Sequence, residues 1–115
     1  MKLNIIGLNE KQALALAELQ DQLGFEICID GTEVEVKCAD SVSVAKKDGR
    51  YYVTYSRDCE LFRVLSELSG IISDGGHKSC RSNLRMLCYM ADMSRNAVYN
   101  IPSAKRMIRY LALMG

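Results

Sequence analysis

The chain has 115 residues, 49% of them hydrophobic and 25% charged, with a formal net charge of +1. That is enough for one domain with a real core and too little for a (β/α)8 barrel of about 250 residues. No stretch approaches the roughly 18 to 20 apolar residues of a membrane span, and the opening residues hold too short an apolar run for a signal peptide, so no membrane partner is expected.

From the amino terminus, Leu3-Asn4-Ile5-Ile6 predicts a first strand ended by Gly7. Asn9 then caps a helix, with Gln12 three positions on as the reciprocal half of a capping box and Gly24 just past its end. Leu14, Leu16, Ala17, Leu19 and Leu23 give that helix a broad apolar face. Alternating runs follow, with Phe25, Ile27 and Ile29, then Val34, Val36 and Cys38, then Val42 and Val44, and finally Tyr51, Val53 and Tyr55 each on one face. The turn signals Asp30-Gly31 and Asp48-Gly49 predict hairpins over residues 25–38 and 42–55. A second helix is expected from about Asp58 to Ser69, carrying Leu61, Val64 or Leu65, Leu68 and Ile71 or Ile72 at helical spacing. Together these elements predict an α+β domain over residues 1–76, a mostly antiparallel sheet with helices on one face.

Small and polar residues crowd Ser73 to Ser79, which places a boundary there and a linker over residues 77–84. Residues 86–91 read as a short buried strand, and Pro102 can open a helix because its missing N–H would be unpaired there anyway. Residues 85–115 thus read as a single βα unit. A parallel strand needs a neighbour supplied by a later crossover, so the unit is expected to continue in further chain. Ile108 to Met114 is apolar on nearly all sides, and an isolated chain is expected to self-associate to cover it. The alternative is a complete small α+β interaction module whose basic last helix docks on an acidic partner.

Charge is spread unevenly: residues 1–76 hold eight basic and thirteen acidic side chains, residues 77–115 seven basic and one acidic. Such asymmetry can mark a nucleic-acid surface. Lys105, Arg106 and Arg109, however, share their helix with Met107, Ile108, Leu111 and Met114, whereas phosphate binding calls for a denser basic stripe. No nucleic-acid partner is expected.

Little in the sequence suggests chemistry. His77 is the sole histidine and falls in the expected linker, so a Ser-His-Asp or Cys-His arrangement has no natural base. Five cysteines (Cys28, Cys38, Cys59, Cys80 and Cys88) form an odd set without a Cys-x-x-Cys pair, which predicts reduced, mostly buried thiols in a cytoplasmic protein and no metal. Asp74-Gly75-Gly76 lacks the Lys-Ser/Thr of a phosphate loop, and no cofactor is expected. Tyr51, Tyr52 and Tyr55 alternate along one strand and are expected to pack, not to form a sugar platform.

The run Met90-Ala91-Asp92-Met93-Ser94-Arg95-Asn96-Ala97-Val98, followed by Lys105, Arg109-Tyr110 and Ala112-Leu113-Met114-Gly115, resembles the opening of the catalytic barrel in glycoside hydrolase family 20, the β-N-acetylhexosaminidases, especially a bacterial subgroup. Upstream, Tyr52-Val53-Thr54-Tyr55 and Leu61-Phe62-Arg63-Val64-Leu65 are similar to the small α/β domain that precedes those barrels. The resemblance implies an accessory domain followed by the first strand and helix of a TIM barrel. The parent activity it implies is removal of terminal N-acetylhexosamine from glycosides with retention, the substrate's own acetamido oxygen serving as nucleophile. In the family an adjacent Asp-Glu pair does the work, and this chain contains no such dipeptide, so the 115 residues alone are expected to be inactive.

Asp92 and Arg95, at the carboxyl end of the first barrel strand, are the positions the resemblance assigns to substrate binding. Many family members carry an arginine five residues before the aspartate. Here that position is Leu87, with Arg85 two residues earlier as the candidate substitute. The departure leaves open a non-catalytic, sugar-binding relative. For Asp92 and Arg95 the structural alternative is that they pair with each other or cap the following loop.

Overall fold

In the computed structural model, which describes residues 1–74, 76–81, 86, 88–91, 94 and 98–115, one six-stranded sheet carries the core. The strands are β1 (Lys2–Ile6), β2 (Glu26–Ile27), β3 (Thr32–Cys38), β4 (Ser43–Lys47), β5 (Arg50–Tyr55) and β6 (His77–Ser79), and their spatial order is β2-β1-β3-β5-β4-β6. The helices are α1 (Glu10–Leu19), α2 (Asp58–Ser66), α3 (Leu68–Asp74) and α4 (Ile101–Met114). The class is α+β. The sheet is mixed and not mostly antiparallel: β2, β1, β3 and β5 run parallel to one another, and β4 is antiparallel to both β5 and β6.

Two local events produce the parallel half. The hairpin expected over 25–38 does not form, because β1 inserts between its two arms: Leu3 pairs with Ile27 on one side and with Thr32 on the other. Residues 28–31 must then cross β1. Gly31 permits the crossing, since a Cβ there would lie 2.5 Å from the Leu3 nitrogen and 2.6 Å from the Lys2 carbonyl carbon. Further on, the chain leaves β3, passes to the far side as β4 and returns as β5 beside β3. The β4–β5 hairpin forms as expected, Lys47 opposite Arg50. Its turn residues Asp48 (φ 51°) and Gly49 (φ 79°) both adopt the left-handed conformation of a type I′ turn, whose twist matches that of the strands.

Strand alternation sorts side chains between the two faces. Leu3, Val34, Val36, Val44 and Val53 point to the helix-covered face and join Leu16, Leu61, Val64, Leu65 and Leu68 in one buried cluster. Each such side chain contributes about 1.5–3 kcal/mol by leaving water, which makes this layer the main source of stability. The opposite face is polar, with Glu33 paired to Arg50, Glu35 to Lys37, and the hydroxyls of Ser41 and Ser43 bonded to Thr54.

The helices depart from expectation in instructive ways. On α1, Leu16 and Leu19 are buried, as is Leu23 beyond it, while Leu14 and Ala17 face solvent and Gln12 is buried in their stead. The single helix expected from Asp58 to Ser69 breaks at Glu67 into α2 and α3. Ser66 Oγ donates to the Arg63 carbonyl at 2.7 Å, and Glu67 N turns back to Val64 O, a tightened last turn in which a side chain competes with the helical ladder.

Residues 77–79, expected as part of the linker, form β6, and Lys78 on that strand pairs with Glu67. The strand expected over 86–91 is absent among the described residues: Met86 and residues 88–91 have no strand pairing and are exposed, Met90 to 93%. Among the described residues no strand pairs with them to satisfy their backbone groups. Asn100 opens α4, its Oδ1 accepting from Ser103 N at 2.9 Å, with Pro102 in the first turn as anticipated. Among the described residues, no helix is long and apolar enough to cross a membrane.

Candidate functional site

Two places concentrate polar or cavity-forming side chains. The first lies where the carboxyl ends of β1 and β5, the two strands that flank β3 and run parallel to it, hand over to α1 and α2, the end at which ligands commonly bind in open α/β sheets. Here the capping box of α1 is complete: Gln12 N donates to Asn9 Oδ1 at 2.9 Å, and Asn9 N donates to Gln12 Oε1 at 3.1 Å. The Gln12 amide then reaches across to the second helix start, Nε2 donating to Tyr55 Oη at 2.9 Å and to Asp58 Oδ1 at 3.1 Å.

Next to it, Glu60 collects Ser56 Oγ at 2.7 Å, Arg57 N at 3.0 Å and Arg57 Nε at 3.1 Å. These donors, the Arg57 guanidinium foremost, outweigh desolvation and hold the Glu60 carboxyl at about 2. The bonds of the cluster run mainly between its own members. Its carboxylates accept from neighbours and its amide is spent on bridging, so what it does chemically is to lock α1 onto the β5–α2 corner.

The second place is a groove of about 420 Å³ between α1, α2 and α4. Phe62 and Leu19 contribute to its lining, α1 adds Ala15 and Glu18, and α4 adds Lys105, Ile108, Arg109 and Ala112. Arg109 Nη2 donates to Glu18 Oε2 at 2.7 Å across the groove, which lowers the Glu18 carboxyl below its usual range through that bond and the guanidinium charge. Nothing in the local sequence announces this pair, whose members stand 91 positions apart.

Asp92, Arg95 and Arg85, the sequence-derived substrate-binding residues, lie outside the described residues, as does Leu87. Tyr51 and Tyr55 pack into the core as expected, and Tyr52 is half-buried on the opposite face. The cysteines are free, but the expectation of mostly buried thiols is wrong: Cys80 is buried, Cys28 half-buried, and Cys38, Cys59 and Cys88 exposed. Cys59 sits in the first turn of α2 on the side opposite Leu61 and Leu65, and Cys38 ends β3, so neither apolar pattern carries them inside. Burial pushes the Cys80 thiol up, away from the reactive thiolate form. Among the described residues, no three His, Cys, Asp or Glu side chains are grouped as metal ligands.

Residues 4–81, from β1 to just beyond β6, match the family model described as the N-acetyl-β-D-glucosaminidase N-terminal domain. The chain belongs to this family. The matched span takes in β2 to β6, most of β1, and α1, α2 and α3, so both polar clusters of the β5–α2 corner lie within it, while α4 stands beyond it. A comparison with curated proteins finds no match.

Proposed function

We propose that this glucosaminidase N-terminal domain is the accessory module of a β-N-acetylhexosaminidase of the glycoside hydrolase family 20 type, and that it is itself inactive. In this reading residues 85–115 begin the catalytic barrel, Asp92, Arg95 and Arg85 contact the sugar, and the catalytic carboxylates come from further chain. The parent would remove terminal N-acetylhexosamine with retention, using the substrate's acetamido oxygen as nucleophile.

The observation that carries the reading is the family match over residues 4–81. One other supports it: the sequence contains no Asp-Glu dipeptide. The free cysteines, three of them exposed, support a reducing, cytoplasmic setting.

The test is hydrolysis of an aryl N-acetyl-β-D-glucosaminide by the 115-residue chain and by the complete product of its gene. Activity is expected in the complete product alone, with the β anomer released first. Turnover by the 115 residues, or an inverted product, overturns the reading.

A further inference from the structure

Two boundaries coincide in this chain. Among the described residues the buried core runs from Leu3 to Cys80, and the family match ends at residue 81. Helix α4 lies beyond both. Leu16 and Leu19 of α1 and Leu61, Val64 and Leu65 of α2 are buried, whereas no residue of α4 is. Ala112 and Leu113 reach the core only as partly buried contacts, and Ile101 stays 74% and Ile108 65% exposed. A groove of about 420 Å³ remains between α4 and the surface of α1 and α2.

We propose that α4 is a strap that docks and undocks as a unit of its own while the sheet and α1 to α3 stay folded. Regions with few buried contacts open at free energies below that of global unfolding, and α4 is the helix with the fewest. Docking and helix formation go together. A helix of 14 residues is marginal alone in water, so α4 keeps its turns while Ala112 and Leu113 hold it at the α2 side and uncoils when they let go. Each opening removes the α4 wall of the groove and bares its Leu19 and Phe62 side, so the strap controls access to an apolar seat on α1 and α2. The inference rests on burial and on the extent of the matched domain, and is independent of the glycosidase activity proposed for the parent.

Amide hydrogen exchange of the 115-residue chain at increasing urea tests it. Protection in α4 is expected to lie at least about tenfold below that in β3 and β5. It is also expected to depend little on urea, because a local opening exposes little surface, whereas exchange of the strands through global unfolding depends on urea steeply. In Leu113→Asp the α4 amides are expected to lose protection while the chemical shifts of the sheet amides are retained. Three results overturn the proposal: α4 amides that share the protection and urea dependence of β3 and β5, which makes the chain one cooperative unit; α4 amides without protection in the parent chain, since a helix that never docks is no strap; or a Leu113→Asp chain whose sheet is unfolded.

Discussion

Gln12 Nε2 donates to Tyr55 Oη at 2.9 Å, joining the start of α1 to the end of β5 across 43 positions of sequence. The same side chain closes the α1 capping box and reaches Asp58, so one buried amide fixes two helix starts. Gln12→Ala removes all of these bonds and takes the donor from the buried Tyr55 hydroxyl. A loss of about 2–3 kcal/mol in urea unfolding is expected. Tyr55→Phe leaves the bond to Asp58 in place and is expected to cost about 1 kcal/mol or less. A double-mutant cycle should show coupling between the two positions, and strict additivity would exclude the bridge as a stabilising link.

Glu60 gives the fold a defined acid response. Its carboxyl is held at about 2 in the folded chain, below the ordinary 4.5. Between these values the unfolded chain binds the proton and the folded chain does not. The contribution is therefore complete above about pH 5 and lost as pH falls towards 2. Glu60, only 5% exposed, also makes its bonds as a charged acceptor. At pH 7, Glu60→Gln is expected to destabilise by about 1–2 kcal/mol, and the difference from the parent should shrink steadily as unfolding is repeated towards pH 2. A pH-independent difference would show that the charge is immaterial.

Short-range signals in the sequence were legible and long-range ones were not. Asn9 with Gln12 announced the start of α1, and Asp48-Gly49 announced the β4–β5 hairpin, because in both cases the partners lie within three residues. Asp30-Gly31 carried the same signature as the true hairpin turn, yet the identity of the strand beside Ile27 depends on β1, more than twenty positions away. Burial of Gln12 in place of Leu14 was hidden for a similar reason: its partners, Tyr55 and Asp58, come from another part of the chain. Among the described residues Met86 and residues 88–91 carry no strand pairing, since an apolar run specifies a strand only where a neighbour takes its hydrogen bonds.

Gly31 is where the crossing over β1 is most exposed to substitution. A methyl group there would meet backbone atoms of Lys2 and Leu3 at 2.5–2.6 Å, and backbone cannot rotate away as a side chain can. Gly31→Ala is expected to cost more than about 2 kcal/mol, against the gain of about 0.4–1 kcal/mol that the same change brings at an unconstrained site. Loss of amide protection should concentrate at β1 and β2 in hydrogen exchange. A stabilised variant would show that residues 28–31 take another path.

What holds α4 against the domain is settled by comparing its two attachments. Arg109 and Glu18 form an ion pair, but Glu18 is largely exposed, and exposed pairs contribute at most about 1 kcal/mol and weaken in salt. Leu113 and Ala112 instead pack against the buried cluster at its α2 side. Burial of this apolar surface outweighs the ion pair, so Leu113→Asp is expected to release the helix and Arg109→Ala to leave it docked. Hydrogen exchange of the α4 amides distinguishes the two: protection should collapse by about tenfold or more in Leu113→Asp and change by less than about fivefold in Arg109→Ala. Equal losses in both variants would mean that the ion pair, and not the apolar contact, anchors the helix.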